Sequence, residues 1–247
     1  MDPLLARLPK YFPSSNWPLL PCPACEGGRI SVARKTDFVE VETGVSANAR
    51  RADWWDPIDY EGRFVAVLTC GNSDCREKVA VQGNAAVDFD EHGHYETVLQ
   101  CKYFDPPLRL IRVPHDCPDP IRREVDAASR LAWVDPGSAA TRLRVAVERV
   151  LDNQRVRKTS SPGKRLTAHA RIQLLRQKRS DVAALLEAVK WIGNQSVHEG
   201  DVPIDALVDG ATLLEAALGL LYDDSTVSAL RAAKEINKAR GRRARRA

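Results

Sequence analysis

Two close cysteine pairs, Cys22-Pro23-Ala24-Cys25 and Cys70-Gly71-Asn72-Ser73-Asp74-Cys75, constrain this chain more than any other feature. The two-residue spacing of the first lets one tight turn present both thiolates to one ion, and Gly27 and Gly28 let the backbone curl beneath it. The second pair ends the strand-like run from Phe64 to Thr69. Its spacing is four residues instead of two, and the interval of residues 26 to 69 is longer than in a minimal zinc ribbon. Four thiolates from two turns nevertheless satisfy tetrahedral zinc, which makes Cys22, Cys25, Cys70 and Cys75 the expected ligands of one Zn2+. Such a site leaves no position open for water, so the ion is expected to be structural. The competing reading is four buried thiols that bind nothing.

Disulfides are the weaker alternative because the chain reads as cytoplasmic. No apolar run reaches the length of a membrane span, and Met1-Asp2-Pro3-Leu4-Leu5-Ala6-Arg7 lacks the basic-then-apolar pattern of a signal peptide. Cytosolic reductants keep thiols free. The other two cysteines, Cys101 and Cys117, have no partner at ligand spacing and read as a core residue and a connector residue. His92 and His94 flank Gly93 at a turn, a pattern more often solvated than metal-bound.

At 247 residues, 44% of them hydrophobic, the chain is long enough for one large domain or two modest ones. The front reads as β-structure. Prolines and aromatics up to Pro21 suit an extended strap, and short strands are expected at Arg29 to Ala33, Phe38 to Glu42, Phe64 to Thr69, Lys78 to Gln82, Ala85 to Phe89 and Tyr95 to Tyr103. The alternation from Leu108 to Pro114 suggests one more.

Behind it the period changes to that of helices. Asp119-Pro120 is an N-cap followed by a first-turn proline, opening a helix to about Trp133. Ser138, Thr167, Ser180 or Asp181, and Pro203 open the helices after it. In the second, Leu143, Val147, Val150 and Leu151 form an apolar stripe, while Arg144 and Glu148 sit four apart on another face. Asp223-Asp224-Ser225 breaks the chain before a tail helix. The expected class is α+β: a small antiparallel zinc-ribbon-like β module over residues 1–117, a helical bundle over 118–224, and a basic helix or tail over 225–247.

The run Lys190-Trp191-Ile192-Gly193-Asn194-Gln195-Ser196-Val197-His198, with Leu143-Arg144-Val145-Ala146-Val147-Glu148, Leu151 and the helix end from Leu218 to Tyr222, resembles the bacterial domain of unknown function 4145. The likeness covers roughly residues 103 to 223. That family is grouped with the helical HEPN (higher eukaryote and prokaryote nucleotide-binding) domains, so the resemblance implies a HEPN-like bundle, homodimerisation through it, and a prokaryotic role in phage defence, restriction or toxin systems.

Many HEPN domains are metal-independent ribonucleases in which an arginine precedes a histidine by four to six intervening residues. Here those positions before His198 are Trp191, Ile192 and Gly193, and none is arginine. Lys190 is the nearest upstream cation. If catalysis occurs, His198, Asn194 and Arg144 are its candidate residues, with Arg144 supplying charge from a neighbouring helix. The plainer expectation is that Asn194 and His198 tie down the helix end, and that Gly193 permits close helix approach.

The formal net charge is only +4, yet Arg240, Arg242, Arg243, Arg245 and Arg246 crowd the C-terminus, and Arg155, Arg157, Lys158, Lys164 and Arg165 cluster mid-chain. The terminal run reads either as a solvated extension or as a phosphate-binding tail. Binding to RNA or DNA without a catalytic site is the favoured activity, with the ribonuclease and a protein-interaction adaptor as alternatives.

Overall fold

The computed structural model describes residues 10–160, 163–199 and 202–238; within helices the side chains of residues 195–199, 224, 226 and 227 are outside that description. The chain divides into two compact units. One comprises Asp2–Leu110 and Ser129–Asp135, the other Ile111–Ala128 and Pro136–Ala247.

The first unit is a curled, seven-stranded antiparallel sheet. Its strands are β1 (Phe12–Pro13), β2 (Leu20–Pro21), β3 (Arg29–Val32), β4 (Phe38–Glu42), β5 (Glu61–Cys70), β6 (Lys78–Phe89) and β7 (Tyr95–Asp105). The order is β1-β7-β6-β5-β3-β2, with β4 also paired to β5. Along β5 the side chains alternate strictly: Phe64, Ala66, Leu68 and Cys70 are buried, while Arg63, Val65 and Val67 are exposed. Ile30, Val79, Leu99 and Phe104 complete the core on that face. Of the expected strap, the described part from residue 10 packs on this face through Trp17, whose ring meets Phe12, Phe64 and Phe38 edge-on with centroids 5.2, 5.7 and 5.8 Å away.

Two local readings differ from the structure, and one short helix is additional. Lys78 to Phe89 is one strand: the β6–β7 register shifts between Gln82 and Gly83, where Lys102 of β7 is the extra residue of a bulge, and β6 runs on through Gly83-Asn84 without a break. A side chain at Gly83 would collide with the Gln100 carbonyl and the Phe64 ring, so glycine is what lets the ladder continue. Leu108 to Pro114 is not a strand: Leu108, Leu110 and Ile111 are buried, and the Leu110 amide donates to Ser129 Oγ at 3.2 Å instead of to a neighbouring strand. Finally, Gly44–Ala49 forms a short helix, α1, capped by Thr43 Oγ1, which accepts from the Ser46 amide.

The second unit is helical. It contains most of α2 (Asp119–Leu131), then α3 (Pro136–Asn153), α4 (Ala168–Arg176), α5 (Ser180–Glu199), α6 (Ile204–Tyr222) and α7 (Asp224–Lys238). The stripe of α3, running through Leu143, Val147, Val150 and Leu151, is fully buried together with Leu186 and Val189 of α5 and Leu207, Leu214 and Leu218 of α6. Thr167 caps α4 as expected, its Oγ1 accepting from the Ala170 amide at 3.2 Å. The Tyr222 hydroxyl donates to Asn153 Oδ1 at 2.8 Å, joining the ends of α6 and α3. Among the described residues no helix is long and apolar enough to cross a membrane.

Candidate functional site

The two cysteine pairs sit on neighbouring turns because β3 and β5 are paired, with Ile30 opposite Cys70. The first turn links β2 to β3, and the Cys22 amide donates to the Gly28 carbonyl at 3.0 Å to close it, with Gly27 in the left-handed region at φ 79°. The second links β5 to β6. Its longer spacing is accommodated by Asn72, whose Oδ1 accepts from the Asp74 amide at 3.0 Å while its carbonyl accepts from Cys75 and Arg76. Arg76 then turns the chain at φ 51°.

All four sulfurs lie within 4.8 Å of one another. Cys22 Sγ and Cys75 Sγ are 3.8 Å apart, as are Cys25 Sγ and Cys70 Sγ. A tetrahedron of ~2.3 Å metal–sulfur bonds has edges of about 3.8 Å. A disulfide would need about 2.05 Å. The set can therefore hold one metal ion, and Gly28 is part of the fit: a Cβ there would stand 2.5 Å from Cys25 Sγ and 2.7 Å from Cys70 Sγ. Any side chain at position 28 would collide with two of the four sulfurs.

The thiols also govern one another's ionisation. Burial opposes ionisation of Cys25, but hydrogen bonds from the other three thiols outweigh it and lower its pKa. Once one thiolate has formed, its neighbours ionise less readily. Burial and nearby thiolates raise Cys70, and for Cys75 burial and the same neighbours override a backbone hydrogen bond to raise the pKa to about 12. Four thiolates in this space call for a cation. Cys101 and Cys117, by contrast, are inert core thiols: burial raises them to about 12 and about 11, respectively.

The motif helix α5 lies against α3 at Gly193. A Cβ on Gly193 would meet the Arg144 Cβ at 2.6 Å, so the close approach expected of this glycine is present. Arg144 pairs with Glu148 at 3.7 Å. Lys190 is 3% exposed, with its ammonium 3.2 Å from the centre of the Trp191 ring, and burial lowers its pKa. Asn194 is half-buried in α5. His198 lies four residues further along α5; its side chain is outside the described residues, as are Arg240, Arg242, Arg243, Arg245 and Arg246.

Residues 126–239 match the family described as Domain of unknown function (DUF4145). That match begins in α2 and runs beyond α7, so it takes in Arg144, Lys190, Gly193, Asn194 and His198, and it extends past the Tyr222 helix end where the sequence resemblance stopped. The front of the chain, residues 10–106, matches a second family, Domain of unknown function (DUF8608). All four clustered cysteines fall inside the DUF8608 match. No curated protein and no solved structure matches the chain.

Sequence reasoning did not find the buried pair of Arg171 and Asp152, in which Arg171 donates to Asp152 Oδ1 at 2.8 Å and to the Val156 carbonyl at 2.9 Å. The only trace in the sequence is a charged residue inside the short helix that Thr167 caps, where an apolar one would serve a core.

Proposed function

We propose that the protein is a nucleic-acid-associated zinc protein: a sheet unit of zinc-ribbon type stabilised by Zn2+ on Cys22, Cys25, Cys70 and Cys75, joined to a HEPN-like helical unit that binds RNA or DNA. The observation that carries the zinc half is the sulfur geometry, with two 3.8 Å separations in a set no wider than 4.8 Å. A four-thiolate tetrahedron selects Zn2+ or iron, and it is a closed, structural coordination set. Metal analysis of the purified chain tests it. About one equivalent of zinc, lost in Cys25→Ser, is the expected result, and iron or no metal defeats the reading.

The nucleic-acid half is supported by the density of arginine between Arg240 and Arg246 and by the company that zinc ribbons and HEPN-like domains keep. A phage-defence, restriction or toxin setting is in keeping with it. Affinity for RNA or DNA should fall steeply with added salt and on deletion of residues 238–247; affinity indifferent to both removes this half. Homodimerisation through the helical unit is part of the same reading and is checked by light scattering. A protein adaptor with a stable partner and no polyanion affinity would be the outcome if nucleic acid fails to bind.

One contact favours a second reading. Because Arg144 packs on Gly193, an arginine stands beside the helix that carries Asn194 and His198. A metal-independent ribonuclease using that trio would cleave RNA in a His198-dependent way. Equal, background-level cleavage by wild type and His198→Ala disposes of it.

A further inference from the structure

Within the helical unit a cleft of about 410 Å³ lies between α3, the chain that follows it and the start of α4. The size is that of a small-ligand site, roughly 300–1,000 Å³, but the lining is not apolar. Five of its side chains are cationic: Arg144 and Arg149 from α3, Lys158 and Arg165 from the intervening chain, and Arg171 from α4. Two are anionic, Glu148 and Asp152.

Those carboxylates are already engaged. Asp152 is shared among Arg171 at 2.8 Å, Lys158 at 2.9 Å and Arg149 at 4.0 Å. Burial works against its ionisation, yet the hydrogen bonds from Lys158 and Arg171 win and hold its carboxyl below the usual range. Glu148 meets Arg144 only at 3.7 Å. Arg165 has no ion pair among the described residues. Arg149 is also paired outside the lining, with Glu124 at 3.7 Å, so the unmatched positive charge of the cleft centres on Arg165.

Two further observations bear on the cleft. Among the described residues the buried Nε atoms of Arg144 and Arg171 have no hydrogen-bond partner, so neither guanidinium is fully satisfied by its protein neighbours. Thr167 and Ala168, at the N-terminus of α4, also line the cleft, which places the positive end of that helix against it.

We propose that this cleft binds a phosphate group, with exposed Arg165 and Lys158 on its solvent side and Arg144 and the buried Arg171 behind them. Guanidinium groups match phosphate oxygens in geometry as well as charge. The phosphate belongs either to a free nucleotide or to a nucleic-acid backbone. The inference is separate from the cysteine cluster and from the basic tail, and either can fail while it stands.

The test is calorimetric titration of the full chain at low salt with pyrophosphate, with ATP, and with a short single-stranded oligoribonucleotide. Wild type is compared with Arg165→Ala and with Arg157→Ala, an exposed cation outside the cleft lining. Arg165 is exposed and makes no ion pair among the described residues, so its loss should leave the fold intact by circular dichroism. Arg165→Ala should weaken binding about tenfold, the loss of one charge-assisted contact, and Arg157→Ala should leave it near wild type. Binding of pyrophosphate and ATP identifies a free phosphate compound as the source, and binding of the oligoribonucleotide alone identifies the backbone; both support the cleft. Binding of none of the probes, or equal effects of the two substitutions, overturns it. Deleting residues 239–247 separates the tail: affinity that survives the deletion but falls in Arg165→Ala belongs to the cleft, and the reverse pattern refutes the cleft and leaves the tail.

Discussion

Gly193 of α5 faces Arg144 of α3 so closely that a Cβ added to the glycine would stand 2.6 Å from the arginine Cβ and 2.9 Å from the Ala140 carbonyl oxygen. Neither atom is the free end of a flexible side chain, so a methyl group there must push the helices apart. Overpacking of this kind costs roughly 1–3 kcal/mol. Replacing glycine inside a helix returns about 1 kcal/mol.

The contrast with Gly210 makes this a sharp prediction. A Cβ on Gly210 meets Ile192 Cδ1 at 3.2 Å, a terminal methyl that can rotate away. Gly193→Ala is therefore expected to lower unfolding stability by up to about 2 kcal/mol, whereas Gly210→Ala should be neutral or stabilising by up to about 1 kcal/mol. Urea denaturation of both variants checks it, and equal effects would mean that Gly193 is not the closest point of helix contact.

Gly28 offers the corresponding experiment in the sheet unit. Its absent side chain is what leaves room between Cys25 Sγ and Cys70 Sγ, so Gly28→Ala should lose bound metal even though all four cysteines remain. Metal per chain should drop well below one-half equivalent, with a fall in melting temperature comparable to that of Cys25→Ser. Full metal content in Gly28→Ala would show that the cluster tolerates a side chain there and that Gly28 is not part of the fit.

Much of this was legible in the sequence where the signal is local. The cysteine turns could be read because ligand geometry restricts spacing, and β4 because Phe38 to Glu42 alternates without interruption. Gly83-Asn84 misled because the dipeptide suits a turn, and only the partner strand, which takes up the register shift at Lys102, shows that the ladder runs through it. Leu108 to Pro114 alternates like a strand, but Pro106, Pro107 and Pro114 lack amide donors, and the Leu110 amide finds Ser129, nineteen residues away. The Arg171–Asp152 pair is separated by the same distance, |i−j| of 19, and no periodicity links two such residues. The mid-chain basic cluster was visible, but the carboxylates that neutralise part of it and leave Arg165 unmatched were not.

That buried pair has its own consequence. The Arg171 side chain is 7% exposed and Asp152 26%, so removing the guanidinium strands a carboxylate that also holds Lys158. Arg171→Met should destabilise the helical unit by roughly 3 kcal/mol, the lower end of the range for breaking a buried pair. Since Asp152 ionises below the usual carboxylate range, the stability it contributes is complete above the unfolded-state value of 3.8 and is lost as pH falls through its lower folded value. Acid unfolding followed by circular dichroism should start at higher pH in wild type than in Asp152→Asn once both curves are scaled to their neutral-pH stability.

At the alkaline end the sign reverses, and two thiols define the window. Burial raises Cys101 to about 12 and Cys117 to about 11, against 9.0 for a free thiol. The unfolded chain therefore loses these protons first on titration with base. Their contribution to stability is fully present below pH 9.0 and declines as pH rises towards the folded values of about 11 and 12. Cys101→Ala and Cys117→Ala should each flatten this decline, although each also leaves a small cavity that lowers stability at neutral pH. Denaturant midpoints taken between neutral pH and pH 11 would show it: the gap between wild type and each variant should narrow as pH rises, and parallel curves would mean that neither thiol is shielded from solvent.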